Sequence, residues 1–228
     1  MQKNFLTIQE NYVNLEIERT SPFSILKGMT MKTHISSKKQ ERTEQILQAA
    51  MTVFSRDGYH KADVDEMAIK AGVGKGTIYR HFESKKGLFL AVVEWGISKM
   101  KECIGEAIKN IDSPIERTTR AISTYLKFFE THREFYRVLI QEMTGFREEV
   151  EKIFRETYLP HISLLEEGLT QGIEKGVIKN INPQSAAFAL IGLTNAIIYK
   201  WLISDKDYPL TNELDTILEI WFKGVIKE

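Results

Sequence analysis

The sequence is poor in the residues that usually carry covalent or metal chemistry. Its single cysteine, Cys103, allows no internal disulfide and no thiol-rich metal site. His132 and His161 stand alone, with no paired His/Glu spacing around them, so they are expected to be satisfied or solvent-facing and no metal is expected. There is no nucleophile accompanied by a base and an orienting group, and no glycine loop that would cradle a phosphate. No catalytic residues and no cofactor are therefore expected. The first thirty residues lack a basic start followed by an apolar core, so no secretory signal is read there. With so little thiol the chain suits the reducing cytoplasm. Alternating strand runs and internal repeats are also missing.

Net charge is absent too, with 31 Lys/Arg against 31 Asp/Glu, but the balance hides an asymmetry. Met31 to Leu90 holds eleven basic and seven acidic residues, and Ala91 onward holds seventeen against twenty-one. A basic head on an acidic body suits a polyanionic partner, and ordinary scatter of surface charge explains the same counts. Asn180 to Tyr199 carries no charge at all. Asn182, Pro183, Gln184, Thr194 and Asn195 within it favour a helix buried between protein surfaces over a bilayer span.

What remains is a helical pattern, and an all-α fold is expected. Residues 1–36 show no sustained period and are read as an N-terminal arm, or as a short extra helix around Tyr12 to Ile17. Ile46, Leu47, Ala50, Val53 and Phe54 then form one helical face, closed by Asp57 and Gly58. Asp63 and Glu66 make a capping-box spacing for a second helix, Gly72 allows a turn, and a third helix runs from about Lys75 to Phe82. In that third helix Ile78 and Phe82 point inward, leaving Lys75, Thr77, Tyr79, Arg80 and His81 outward. Two short helices braced by a longer one make a helix-turn-helix unit, whose last helix fits the DNA major groove.

The run GYHKADVDEMAIKAGVGKGTIYRHFESKKGL, Gly58 to Leu88, resembles the N-terminal DNA-binding domain of the TetR family of repressors. The resemblance spans Arg42 to about Val92. It implies that Lys75, Gly76 and Thr77 approach base edges and phosphates. It further implies backbone contacts from Tyr79 and His81 and a phosphate held by Lys85 at a helix N-terminus, and Arg80 is a candidate for a guanine. Two features depart from the family pattern. Ala62 and Asp63 stand where Ser/Thr pairs are common, which shifts any contact there to His60 or Lys61. Gly74 replaces the usual Ser or Ala.

The remaining pattern divides the chain into an arm (1–36), a reading head (37–83) and a helical body (84–228). Ser84 caps a fourth helix carrying Leu88, Phe89, Val92, Val93, Ile97 and Met100. Further starts fall at Ser113-Pro114, Asn182-Pro183 and Thr211, and a long helix from about Arg147 to Lys175 holds Pro160 as a kink or break. The resemblance implies a ligand pocket and a dimer interface in this body. For the pocket, Tyr125, Phe129, Tyr136, Phe154 and Ile162 suit a mostly apolar effector, or they simply fill a core. For the interface, the expected residues are Leu190, Thr194, Ile197, Ile198, Trp201, Leu218, Trp221 and Phe222. The expected partners are a double-stranded DNA operator, a second copy of the chain and a small molecule, with no membrane. The expected function is a repressor released by its effector; the alternative is an architectural or partner-recruiting DNA-binding protein.

Overall fold

The computed structural model describes residues 33–142, 146–153, 155–156, 159–204 and 207–225. The chain divides into two units, Met1–Glu41 and Arg42–Glu228. Of the first, residues 33–41 are described and are helical. The rest of the expected N-terminal arm, with its alternative helix near Tyr12, lies outside the described residues. Among the described residues every regular element is a helix.

The first helix, α1 (Thr33–Lys61), carries Ile46, Leu47, Ala50, Val53 and Phe54 on its buried face. It is broken at Gly58, whose φ of 69° and ψ of 169° lie outside helical space. The next helix, α2 (Val64–Lys70), is capped by Asp63, whose carboxylate accepts from the Asp65 N–H at 2.9 Å. The other half of the expected capping box does not form. Glu66 instead takes a two-pronged bond from the Arg56 guanidinium at 2.8 and 2.6 Å, and a bidentate charged pair outcompetes a single bond to a backbone N–H.

The turn after α2 is built on Gly72. Its φ of +65° is the left-handed conformation that glycine adopts freely. Its N–H donates to the Ile69 carbonyl, and the next N–H, of Val73, reaches back to Ala68. This paired closure satisfies the helix end and turns the chain into α3 (Lys75–Phe82). Glu83 ends α3, and Ser84 caps α4 (Lys85–Ile108) by accepting from the Gly87 N–H at 2.9 Å.

α4 runs from the head into the body. Phe89 meets Phe54 edge-on at 5.3 Å, and Ile97 and Met100 are buried further along. Midway, Gly96 lies flush against the Phe135 ring, and a methyl there would stand 2.2 Å from a ring carbon. The body continues with α5 (Pro114–Thr131), α6 (Arg133–Glu142), α7 (Arg147–Ile153), α8 (Leu159–Glu174), α9 (Pro183–Ile203), a 3-10 turn (Leu210–Glu213) and α10 (Leu214–Val225). Pro160, expected as a kink or break, falls in the first turn of α8, where its missing N–H costs nothing. Asn182 caps α9 as its position foretold, accepting from the Ser185 N–H at 2.8 Å.

Candidate nucleic-acid interface

Of the eight residues of α3, only Ile78 is buried. It anchors the helix to the head's core together with the half-buried Phe82, and Lys75, Gly76, Tyr79 and Arg80 are exposed. Tyr79 is 38% exposed, Arg80 is exposed, and His81 is half-buried beside Phe82. The Arg80 guanidinium reaches back to the Thr77 hydroxyl at 3.3 Å. Gly76 is exposed, and a side chain there would meet nothing within 4 Å. Among the described residues no packing calls for that glycine.

The ammonium groups around α3 are held by neighbours. Lys75 donates to Asp65 at 2.9 Å, and that bond raises its pKa above the ordinary lysine value. Lys85 donates to the His60 carbonyl at 3.2 Å, with its Nζ 5.0 Å from the centre of the Tyr59 ring. Ala62 is buried, and Asp63 is exposed with its carboxylate on the Asp65 N–H. Neither offers a donor to phosphate, whereas His60 and Lys61 beside them are exposed.

Of the residues expected to line an effector pocket or to fill a core, three lie together. Tyr125, Phe129 and Tyr136 form a close-packed cluster, with Phe129 edge-on to both tyrosines at 5.0 and 4.9 Å. Both hydroxyls end on Asn195, that of Tyr125 on its side-chain oxygen at 2.9 Å and that of Tyr136 on its carbonyl at 3.0 Å. Ile162 is buried, while Phe154 and the side chain of His161 lie outside the described residues. A groove of about 470 Å³ lies elsewhere, between α9 and α10, lined by Ala189, Leu193, Ile220 and Trp221 among others. His132 is satisfied locally, its Nδ1 2.9 Å from the Phe128 carbonyl and its ring stacked on Phe128. Among the described residues no group of three or more His, Cys, Asp or Glu is arranged to hold a metal ion.

The residues expected at the interface divide by burial. Leu190, Thr194, Ile198, Trp201 and Trp221 are already closed inside the single chain, while Ile197, Leu218 and Phe222 are partly buried. The outward stripe of α9 is Phe188, Gly192, Ala196, Tyr199 and Ile203, at helical spacing, with exposed Ile220 on α10. α9 is apolar on both sides, so its pattern alone did not say which side faces its own core. It is also long and apolar enough to cross a membrane by length and composition, but its buried side packs on its own domain. Two further residues escaped the sequence reading: Phe146 and Glu149 of the body touch the start of α4. Their distance along the chain leaves no local signal.

A three-helix head offering one helix's donors outward, carried by a helical body, defines a DNA-binding transcriptional regulator of the helix-turn-helix class. Residues 46–92 match the bacterial regulatory proteins of the tetR family, and residues 112–205 match the tetracyclin repressor-like C-terminal domain. The chain belongs to the tetR family. It is 26% identical to the fatty acid metabolism regulator protein of Bacillus subtilis strain 168, over 82% of this chain and 98% of that one. It is 29% identical to the HTH-type transcriptional regulator YhgD of the same strain, over 74% of this chain and 87% of that one. Among solved structures, FadR of B. subtilis in complex with stearoyl-CoA shares the fold. That match has a TM-score of 0.70 and 24% identity, covering 79% of this chain and 98% of that one.

Proposed function

We propose that the chain is a repressor that binds a palindromic operator as a dimer and leaves it when a mostly apolar effector binds the body. In this reading residues 37–83 read DNA, residues 84–228 sense and dimerise, and the protein works in the cytoplasm beside the chromosome. The observation that carries it is α3, which buries Ile78 alone and keeps Lys75, Gly76, Thr77, Tyr79, Arg80 and His81 for a partner. Lys75 and Thr77 read base edges, Arg80 takes a guanine, and Tyr79, His81 and Lys85 hold phosphates. A two-fold axis through the outward stripe of α9 and α10 sets the two copies of α3 about 34–36 Å apart, or a multiple of that.

For the effector, the resemblance along 98% of a fatty acid metabolism regulator favours a long acyl chain, free or carried as a thioester. Such a chain must open the Tyr125–Phe129–Tyr136 cluster to enter between α5, α6 and α9, so binding and rearrangement are one event. A ligand shifts the equilibrium only by its differential affinity, and a hundredfold release needs about 2.7 kcal/mol. The close packing of that same cluster favours a second reading, an architectural DNA-binding protein without an effector.

The test begins with selection of binding sites from random DNA, followed by titration with stearoyl-CoA and with free stearate. Enrichment of an inverted repeat, lost in Tyr79→Ala and Lys85→Ala, supports the docking. Release by either lipid supports the repressor, and tight operator binding indifferent to both supports the architectural reading. No enriched sequence at all would overturn the operator.

A further inference from the structure

Around the first turn of α4 two lysines flank two aromatic rings. Lys85 sits over Tyr59 at 5.0 Å, Lys86 sits over Phe146 at 5.5 Å, and the two rings meet edge-on at 4.5 Å. Phe146 also lies 5.0 Å from Phe89, so its ring is set into the head's own aromatic cluster. Lys86 is paired with Glu149 of α7, a residue of the body. The side chains of both remain about half exposed, at 47% and 40%, so the pair stands in water at the rim of the reading head.

The placement is informative on both sides of the pair. A cation in the first turn of a helix opposes the helix dipole, so Lys86 costs α4 stability unless an anion answers it. Glu149 is in the first turn of α7, where the dipole favours a carboxylate. The Lys86 bond holds the Glu149 pKa below the ordinary glutamate value. One residue along, Lys85 is the side chain proposed to grip a phosphate. The body thus gives Lys86 a carboxylate partner next to the lysine proposed to grip a phosphate.

We propose that Glu149 is an intramolecular substitute for DNA phosphate: α7 holds Lys86 off the backbone and thereby lowers the affinity of the head for DNA. The inference rests on the docking of α3 and the start of α4 described above. DNA engages Lys86 only by breaking the Lys86–Glu149 pair, so the body sets the affinity of the head through one ion pair.

The experiment measures binding of the full chain to a short fluorescent duplex of scrambled sequence, between about 50 and 200 mM KCl. Glu149→Gln is expected to tighten binding roughly two- to fivefold, the range set by an exposed ion pair. It is also expected to steepen the log–log salt slope by about 0.9, one further phosphate neutralised. Glu148→Gln, the same charge change one residue away, is expected to leave the slope unaltered. In a Lys86→Ala background Glu149→Gln is expected to change neither quantity. Equal gains from the two glutamate variants, or a gain that survives in Lys86→Ala, would reduce the effect to bulk charge and overturn the proposal. Lys85→Ala separates the two layers. If it flattens the slope while Glu149→Gln leaves it unchanged, the role of Glu149 falls and the docking stands. If Lys85→Ala changes nothing, the docking falls and this inference falls with it.

Discussion

The recognition helix and the uncharged helix are opposites. α3 buries one residue of eight and exposes long donors, whereas α9 buries seven of twenty-one and exposes further apolar surface besides. The first is held by Ile78, by the half-buried Phe82 packed against the core, and by closures at its ends. Its stability is borrowed from α1, α2 and α4, which leaves its composition free to serve DNA. The second is held by its own core contacts, with Thr194 donating its buried hydroxyl to the Leu190 carbonyl at 2.8 Å. Its outward stripe, with Phe188, Tyr199 and Ile203, is exposed apolar surface. α3 keeps its long polar side chains out of the core, and α9 keeps a second apolar side out of it.

The sharpest way to break this contrast is to delete one large side chain from each region. Phe129→Ala removes a ring that is 1% exposed and wedged between Tyr125 and Tyr136, and is expected to cost about 3–5 kcal/mol of stability. Tyr79→Ala in α3 is expected to stay within about 0.5 kcal/mol of the parent, because it is exposed. Urea unfolding of both variants checks the pair. Comparable losses would mean that α3 contributes to the core after all. Next in size is Gly96→Ala. The added methyl collides with a Phe135 ring that Phe128 and Phe129 hem in, so an overpacking cost of about 1–3 kcal/mol is expected. Because Gly96 lies on α4, operator affinity is expected to fall with stability.

How much of this was legible in the sequence follows from the same contrast. The helices and turns of the head could be read directly, because each boundary carries its own local chemistry. Asp63, Gly72 and Ser84 announce its turns through local chemistry alone. The caps of α5 and α9 were visible for the same reason. Faces in the body were not. Periodicity marks an apolar side only when the opposite side is polar, and Ala187 to Trp201 offers no such opposition. Nor could spacing tell whether Tyr125, Phe129 and Tyr136 line a space or fill one, since that turns on Asn195, which stands far away in sequence and takes both hydroxyls. The Lys86–Glu149 pair was invisible because α7 and α4 meet only in the folded chain.

The outward stripe of α9 yields a prediction smaller in free energy but plain in readout. Tyr199→Asp places a charge on the exposed stripe, where the chain by itself is untouched, so monomer stability is expected to hold. Self-association is expected to weaken at least tenfold, about 1.4 kcal/mol, as a carboxylate loses water against an apolar partner. Sedimentation of dilute samples measures it. A dimer of unaltered affinity would place the interface on another surface.

The smallest expected effect concerns a carboxylate that joins the two ends of the body. Glu130 at the end of α5 bonds Lys127 at 2.5 Å, and its other oxygen accepts from the N–H and hydroxyl of Thr211, at 3.1 and 3.2 Å, in the turn before α10. Burial pushes its pKa up, but the bonds from Lys127 and Thr211 outweigh this, leaving it below the ordinary glutamate value of 4.5. The sign of the pH dependence follows. A carboxylate whose folded pKa is depressed releases its proton more readily in the folded state, so it stabilises the fold above its unfolded pKa. That contribution fades as pH falls from 4.5 through the lowered value. Glu130→Gln keeps an oxygen for Thr211 but has no charge to titrate. At neutral pH the variant is expected to melt slightly below the parent. As pH drops below 4.5 the two melting curves are expected to converge, because the parent loses what the variant never had. A gap that stayed constant with pH would mean that Glu130 works through shape and hydrogen bonding alone, with its charge contributing nothing to the seam between α5 and the turn before α10.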